Sequence, residues 1–297
     1  MQLKEVKIPN TYKYVSAFLT MRCNLSCSYC LNTFVDNFKR KRQELSGKQW
    51  VDGLNRIESL EIPITFTGGE PFLHNDFIYI LNNIKPELSI DILTNLYPKT
   101  NDQKLRLEEF IKGVNPARIK RNSPYPSIRV SYHPEQMGNG EKLIENVKKF
   151  KEAGFSIGIF YVAYPGIRES ELFTQMQFRC LDAGIDYRRK DFTGEYKEGL
   201  YGNYSKYPNS VFQEKTKSCL CKTSDLIFAT DGKIYKCHRD LYSEEFPIGN
   251  LTNLDLKIQD KYIKCHRYGK CHPCDVKVKT DYKQRLDHTS VEIKNVK

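Results

Sequence analysis

The chain has 297 residues, which is long enough for one large domain and a small one with a substantial core. No apolar run has the length of a membrane span, the N-terminus lacks the apolar segment of a signal peptide, and hydrophobic residues make up 39% of the sequence. Ten cysteines in such an unexported chain favour metal ligation over disulfides, so the composition predicts a cytoplasmic protein with no membrane partner.

The formal net charge of +11 has two interpretations. One is a solvated, lysine-rich surface, and the other is a basic face for an anionic substrate such as a nucleotide, a phosphorylated sugar or RNA. Positive charge is densest in residues 39–42 and 261–297. Aromatic residues are not regularly interleaved with these charges, so the sequence gives a nucleic-acid partner only weak support.

Short β-branched runs alternate with amphipathic stretches from residue 14 onward. The predicted strands cover residues 15–20, 63–67, 89–94, 127–132, 155–162 and 185–192, and the predicted helices cover residues 46–60, 75–84, 102–112, 140–153 and 169–183. Such alternation implies an α/β fold with a parallel sheet and right-handed crossovers. Six strands predict a partial (β/α)6 TIM barrel rather than a closed eight-fold barrel, which typically needs about 250 residues.

Three cysteines, Cys23, Cys27 and Cys30, lie in one short loop directly after the first predicted strand. Soft thiolates at this spacing are typical ligands of an iron–sulfur cluster or of zinc. A four-iron cluster would lack one protein ligand here, which leaves one iron open to a small molecule. A zinc site would need a fourth ligand, and the nearest downstream candidate is His74.

A second motif, Gly68-Gly69-Glu70, ends the second predicted strand. Two glycines after a strand form, by themselves, only a tight turn. In a parallel barrel, however, the carboxyl ends of the strands meet at one face, which is where such folds keep their active sites. The motif is therefore expected beside the cysteine loop.

The cysteine spacing, with Tyr29 before the last cysteine, resembles the signature of radical S-adenosylmethionine (SAM) enzymes, and the Gly-Gly-Glu motif resembles the GGE element of that family. The resemblance implies that the three thiolates hold a 4Fe–4S cluster and that its fourth iron binds the amino and carboxylate groups of SAM. It also implies that Glu70 pairs with the SAM amino group. An electron from a donor such as flavodoxin or ferredoxin would then cleave SAM to methionine and a 5′-deoxyadenosyl radical, which abstracts hydrogen from a substrate.

Further strand ends supply other site candidates by the same resemblance. The expected cofactor-binding residues are Tyr29, Gly68, Gly69, Glu70, Thr94, Asn95 and Ser131. Ser131 ends the fourth predicted strand, where similar enzymes place a hydroxyl against the SAM carboxylate or ribose. His133 follows it and is either a satisfied turn histidine or a site residue. On the sixth strand, alternation places Arg188 and Lys190 on the same face.

The strand–helix pattern fades after about residue 192, and six cysteines follow within 56 residues. We therefore expect two domains, a barrel over residues 1–200 and a small metal-binding domain with a basic tail over residues 201–297. The candidate ligands are Cys219, Cys221, Cys237, Cys265, Cys271 and Cys274. Structural zinc is one alternative, because the last two have the spacing of a zinc knuckle. Asp231-Gly232 predicts a hairpin turn between two β-like runs.

This segment resembles the twitch or SPASM extension of radical SAM enzymes, which holds one or two auxiliary 4Fe–4S clusters. A full SPASM pattern has more cysteines, so one auxiliary cluster fits the six thiols better. The preferred ligand set is Cys219, Cys237, Cys271 and Cys274. Cys221 and Cys265 are then competing ligands or spare thiols.

The motifs specify a class of enzyme far better than a substrate. The leading hypothesis is a radical SAM oxidoreductase that acts on a small polar or anionic metabolite, with the auxiliary cluster accepting an electron or binding the substrate. The alternative is a maturase of a ribosomally made peptide. Such enzymes commonly carry an N-terminal leader-binding domain, and only 13 residues precede Tyr14, where the strand–helix pattern begins. Modification of an RNA base is a third, weaker hypothesis.

Overall fold

The computed structural model describes residues 4–30, 42–163, 169–191, 194–196, 199–201, 217–268 and 291–295. The strands are β1 Tyr14–Thr20, β2 Ile64–Gly68, β3 Ile90–Thr94, β4 Ile128–Tyr132, β5 Ile157–Ala163, β6 Asp186–Asp191, β7 Gly194–Tyr196, β8 Gly199–Tyr201, β9 Lys217–Thr223, β10 Asp225–Phe228, β11 Lys233–Tyr235, β12 Gly249–Asn250, β13 Ile263–Tyr268 and β14 Val291–Asn295. The helices are α1 Gly47–Leu54, α2 Phe77–Asn83, α3 Asn101–Gly113, α4 Pro116–Ile119, α5 Pro134–Met137, α6 Glu141–Glu152, α7 Glu169–Asp182 and α8 His238–Ser243. Within these ranges, no helix combines the length and apolar character that a membrane crossing requires.

The main sheet has nine strands in the order β12-β11-β10-β1-β2-β3-β4-β5-β6. Strands β1 to β6 are parallel and lie in chain order, which confirms the predicted α/β fold with a partial barrel. Strand β10 pairs in parallel with β1 along the edge of β1 that faces away from β2. The predicted hairpin is formed by β10 and β11. The same sheet therefore includes strands from both sides of residue 200.

The two faces of the sheet differ in polarity because side chains alternate along each strand. On the face that packs against the helices, residues such as Leu19 and Phe66 join Trp50 and Phe110 in one buried cluster. The opposite, concave face carries polar residues. On it the buried Asp91 forms ion pairs with Arg121 and Arg129, with nitrogen–oxygen distances of 2.5 and 3.2 Å.

Helix α1 is shorter than the sequence predicts. Ser46 caps its N-terminus through a capping box with Gln49, as the sequence pattern suggests. The prediction of helix to residue 60 is wrong, because the helix ends at Leu54. Ile57 instead forms a β-bridge with Val6. Its burial by this bridge produces the same apolar spacing that a longer helix would show.

Arg56 connects this turn to a distant part of the chain. Its side chain is 95% buried and donates to four backbone carbonyls, those of Lys4 at 3.1 Å, Leu251 at 3.3 Å, Asn253 at 2.8 Å and Leu254 at 2.8 Å. A planar guanidinium can serve several acceptors at once because it carries five donors in a fixed geometry. Arg56 therefore fixes the 251–254 loop against the barrel.

Replacing Arg56 tests this connection. Arg56→Met keeps much of the side-chain volume but leaves the four carbonyls without their donor, so we expect the free energy of unfolding to fall by about 3 kcal/mol. The control is Lys48→Met, which removes an exposed pair with Asp52 and should leave the denaturation midpoint unchanged. Denaturant unfolding followed by circular dichroism measures both. Equal losses for the two variants would show that Arg56 has no special role.

Candidate functional site

The three cysteines of the first motif form a partly buried loop directly after β1. Cys27 is buried and Cys23 and Cys30 are half-buried, and the Cys30 N–H donates to the Cys27 carbonyl at 3.1 Å. Burial raises the pKa of Cys23 to about 11 and that of Cys27 to about 12, and the nearby Cys30 adds to both shifts. Thiolates placed this closely need a positively charged partner, which iron supplies.

The loop fits an iron–sulfur cluster better than a single zinc ion. His74, the zinc ligand considered from the sequence, uses both ring nitrogens elsewhere, one 3.0 Å from the Leu45 carbonyl and one accepting the Asp76 N–H at 3.2 Å. Among the described residues, no three His, Cys, Asp or Glu side chains form a site for a single metal ion. The thiolates of a cluster bind different irons, so they need not converge on one point.

The two glycines allow the second motif to lie against the cysteine loop. A Cβ added to Gly68 would lie 2.0 Å from the Thr20 carbonyl oxygen, and one added to Gly69 would lie 2.1 Å from that of Arg22. This close approach lets the Gly69 N–H donate to Thr20 at 2.7 Å and the Glu70 N–H donate to Arg22 at 2.8 Å. The backbone thus joins the two motifs that the sequence only placed at the same barrel end.

Glu70 is a buried carboxylate held by three donors. One oxygen accepts the Thr94 hydroxyl at 2.7 Å and the Phe72 N–H at 3.2 Å, and the other accepts the Asn95 N–H at 2.7 Å. Burial raises the pKa of Glu70 to about 7 against the opposing effect of these hydrogen bonds. A carboxylate has about four acceptor positions, so one remains for a further donor. A cationic amino group suits it, because it would offset the cost of the buried charge.

Thr94 and Asn95 connect Glu70 to the cysteine loop. The Asn95 side-chain amide lies 3.7 Å from the Cys23 sulfur and donates to the Asn24 side-chain oxygen at 2.8 Å. Both residues therefore position other groups of the site. Direct contact of either with SAM stays a prediction.

Tyr29 and Ser131 are the remaining predicted cofactor residues. The Tyr29 hydroxyl lies 2.6 Å from Nδ1 of His133, whose pKa burial lowers to about 4, so the imidazole is neutral near pH 7. His133 is thus a partner of the cysteine loop, which the sequence left open. Ser131 is half-buried near the end of β4 and shares the concave face with Arg129 by strand alternation. Its role in binding SAM stays a prediction.

The sequence reading missed Arg22, which precedes the first cysteine of the loop. Its guanidinium donates to the Glu44 carboxylate at 2.9 Å and to the Leu73 carbonyl at 2.8 Å. These contacts join the cysteine loop to the segment before α1 and to the turn after Glu70. A cation beside the first cysteine was the available signal, but its partners lie 22 and 51 residues away.

Four C-terminal cysteines gather around a second, smaller sheet with the strand order β13-β9-β14. Cys219 lies directly opposite Cys265, and alternation puts Cys221 on the same face. Burial favours the neutral form of Lys236, but the nearby Cys221, Cys237, Asp240 and Cys265 together outweigh this and raise its pKa. Cys221 and Cys265 are therefore grouped with the ligands preferred from the sequence. Cys271 and Cys274 lie outside the described residues.

Comparison with known proteins finds sequences named GTP 3',8-cyclase among the relatives of this chain. The chain is 27% identical over 220 residues to a GTP 3',8-cyclase of Sulfurovum sp. (strain NBC37-1), a match that covers 69% of this chain and 63% of that protein. It is 24% identical over 218 residues to a GTP 3',8-cyclase of Nautilia profundicola, covering 70% of this chain and 64% of that protein. The chain thus spans less than two thirds of the length of these relatives.

Comparison with solved structures and with protein families places the fold. The structure titled "Native anSMEcpe with bound AdoMet and Kp18Cys peptide" matches with a TM-score of 0.50 at 14% identity, covering 84% of this chain and 78% of that one. The profile of the family described as the Radical SAM superfamily, whose members use a 4Fe–4S cluster and SAM, matches residues 18–177. Because this match spans more than half of the sequence and includes both motifs, the chain belongs to the Radical SAM superfamily.

Proposed function

We propose that this chain is an oxidoreductase that reductively cleaves SAM and abstracts hydrogen from a small anionic substrate. The observation that carries the proposal is the buried Glu70, whose remaining acceptor position lies in a motif bonded directly to the cysteine loop. Cys23, Cys27 and Cys30 would hold a 4Fe–4S cluster, which would supply the electron for cleavage of the carbon–sulfur bond of SAM. The external donor would be a reductant of the flavodoxin or ferredoxin type.

The chain's own residues would bind and orient SAM. Glu70 receives the SAM ammonium group, and Thr94 and Asn95 hold the carboxylate in place through hydrogen bonds of 2.7 Å each. The side chain of Glu70 is 98% buried, so water does not compete for this charge pair. A carboxylate fixed in this way would hold SAM in one orientation relative to the substrate.

The charge of the concave face supports an anionic substrate. Arg129 lies on this face, where Asp91 pairs with it and with Arg121. On β6, alternation places Arg188 and Lys190 on the same face as Asp186, which pairs with Arg188 at 2.8 Å. Among these described residues the cations outnumber the carboxylates. The named relatives act on GTP, which carries a triphosphate. A nucleoside triphosphate, with GTP as the first candidate, therefore fits the proposal better than the sugar or peptide considered from the sequence.

An auxiliary 4Fe–4S cluster is a further part of the proposal. The grouping of Cys219, Cys221, Cys237 and Cys265 near one another supports it, because four thiolates are enough for one cluster. We assign this cluster to a smaller unit that begins after residue 200. Its role would be to accept an electron from the substrate radical or to bind the substrate.

Glu70→Gln tests the assignment of the SAM amino group. In the cluster-loaded protein we expect SAM affinity to fall about thirtyfold at pH 8, because the variant loses the charge. Since the pKa of Glu70 is raised to about 7, lowering the pH from 8 to 6 protonates the wild-type carboxylate and should weaken SAM binding about tenfold. The variant should show no such pH dependence in equilibrium dialysis with labelled SAM. Glu109→Gln, an exposed change on α3, is the control, and a pH-dependent Glu70→Gln would contradict the assignment.

Iron content tests the two clusters separately. Anaerobically reconstituted protein should bind about eight irons per chain, and Cys27→Ala and Cys237→Ala should each bind about four. Cys27→Ala should lose SAM cleavage, whereas Cys237→Ala should keep cleavage and lose product formation, as followed by chromatography. Cys180→Ala, a change in the helical core, should keep about eight irons. If the wild type bound only four irons, the proposal of an auxiliary cluster would be wrong. If it bound zinc and no iron, the proposals of both clusters would be wrong.

The rate of 5′-deoxyadenosine formation tests the substrate. With SAM and dithionite, GTP should raise this rate at least tenfold over the substrate-free reaction, and guanosine should not, because it lacks the phosphates that the cationic face attracts. The stimulation by GTP should weaken at high salt. A sugar phosphate, a peptide mixture and RNA serve as comparisons. Stimulation by peptide in place of GTP would favour the peptide maturase, and stimulation by RNA would favour modification of an RNA base.

A further inference from the structure

The turn that follows β4 is hydrogen-bonded to the cysteine loop. Glu135 accepts two hydrogen bonds from Ser28, one from its backbone N–H at 2.6 Å and one from its hydroxyl at 2.8 Å. The two residues are 107 positions apart in the chain. Both carboxylate oxygens are used, so the orientation of Ser28 is fixed in two directions.

Two further residues of the same turn hold the neighbouring positions of the loop. The Gln136 side-chain amide donates to the Ser26 carbonyl at 3.2 Å, and its oxygen lies 3.4 Å from the Ser26 N–H. His133 binds the Tyr29 hydroxyl at 2.6 Å, and the two rings lie 5.9 Å apart. The turn therefore contacts Ser26, Ser28 and Tyr29, which are three of the five residues that separate the cysteines.

The turn has a fixed position of its own, so it can impose one on the loop. Pro134 and Met137 are buried, and the N–H groups of Gln136 and Met137 donate to the His133 carbonyl at 2.9 and 3.0 Å. The Tyr132 hydroxyl closes the far side by donating to the Gly138 carbonyl at 2.5 Å. These contacts need no metal, which means that the loop is held before any cluster is bound.

Glu135 also brings a negative charge to the loop. Its carboxylate is bonded to Ser28, the residue next to Cys27, and Lys99 lies 3.3 Å from the Gln136 side-chain oxygen of the same turn. The reduction potential of an iron–sulfur cluster depends on the charge around it, and a nearby anion disfavours the reduced, more negative state. Glu135 is exposed on one side, so water and salt screen part of this effect.

We propose that residues 133–136 form a clamp that orders the cysteine loop before cluster binding, and that Glu135 within it lowers the reduction potential of the bound cluster. This inference rests on the cluster proposed above for Cys23, Cys27 and Cys30. Glu135 is a positioning residue, because it orders the loop through Ser28, and its charge acts on the cluster through space. The two effects, geometry and charge, can be separated by substitution.

Three variants make this separation. Glu135→Gln removes the charge and keeps both hydrogen bonds, because the amide oxygen still accepts the Ser28 N–H and the amide nitrogen donates to the Ser28 hydroxyl. Glu135→Ala removes the charge and both bonds. Ser28→Ala keeps the charge and removes only the hydroxyl bond. Glu87→Gln is the control, because it removes an exposed charge in the segment before β3, at the opposite end of the barrel.

The experiment combines a potentiometric titration with a measurement of iron release. The potential is followed by the electron paramagnetic resonance signal that changes when SAM is added, which separates this cluster from an auxiliary one. For Glu135→Gln we expect the reduced form to be favoured about threefold, a rise of about 28 mV, with a larger rise at low salt. Glu135→Ala should also release iron to a chelator several-fold faster. Ser28→Ala should release iron at an intermediate rate with an unchanged potential.

Each result decides one part of the inference. An unchanged potential in Glu135→Gln would overturn the charge effect, and iron release from Glu135→Ala at the wild-type rate would overturn the clamp. A shift in Glu87→Gln as large as that in Glu135→Gln would show that the effect is not local. Wild-type protein that binds no iron at Cys23, Cys27 and Cys30 would instead refute the proposed function.

Discussion

The buried carboxylate of Glu70 holds the ends of three strands together. Its carboxylate is bonded to Thr94, which ends β3, and to the Asn95 N–H just after it. Its own N–H donates to Arg22, two residues after the end of β1, and β2 ends two residues before Glu70. A carboxylate this deeply buried is stable only where donors surround it. The site is therefore built around one charge that the fold must satisfy. The same need for a positive partner is the reason for proposing that Glu70 binds an ammonium group.

Side-chain alternation explains how one sheet serves both stability and chemistry. The face toward the helices is continuous and apolar, with Leu19 and Phe66 in its core, and supplies the hydrophobic driving force. The concave face does not form part of this apolar core and carries charged residues such as Asp91 and Arg129. In a fully closed barrel this interior would be filled by layers of branched side chains. Here an open barrel leaves it polar.

The sequence predicted correctly the features that depend on local residue patterns. All six barrel strands begin and end within two residues of their predicted positions, and the Asp231-Gly232 hairpin forms as expected, because each depends on short-range periodicity and turn chemistry. The grouping of Cys221 with Cys265 was not predictable, since it depends on the register between two strands. The contact of Glu135 with Ser28 was equally hidden, because nothing local links residues 107 positions apart. The sequence thus located the cysteine and glutamate motifs but not the residues that hold them.

The pairing of β10 with β1 has a consequence for how the chain can be divided. Strand β1 lies inside the sheet only because β10 covers one of its sides. A chain shortened at residue 200 would turn β1 into an edge strand with a row of exposed backbone donors and acceptors. Such edges attract other strands and promote aggregation. The shortened molecules would then associate first through β1, the strand that leads into the cysteine loop.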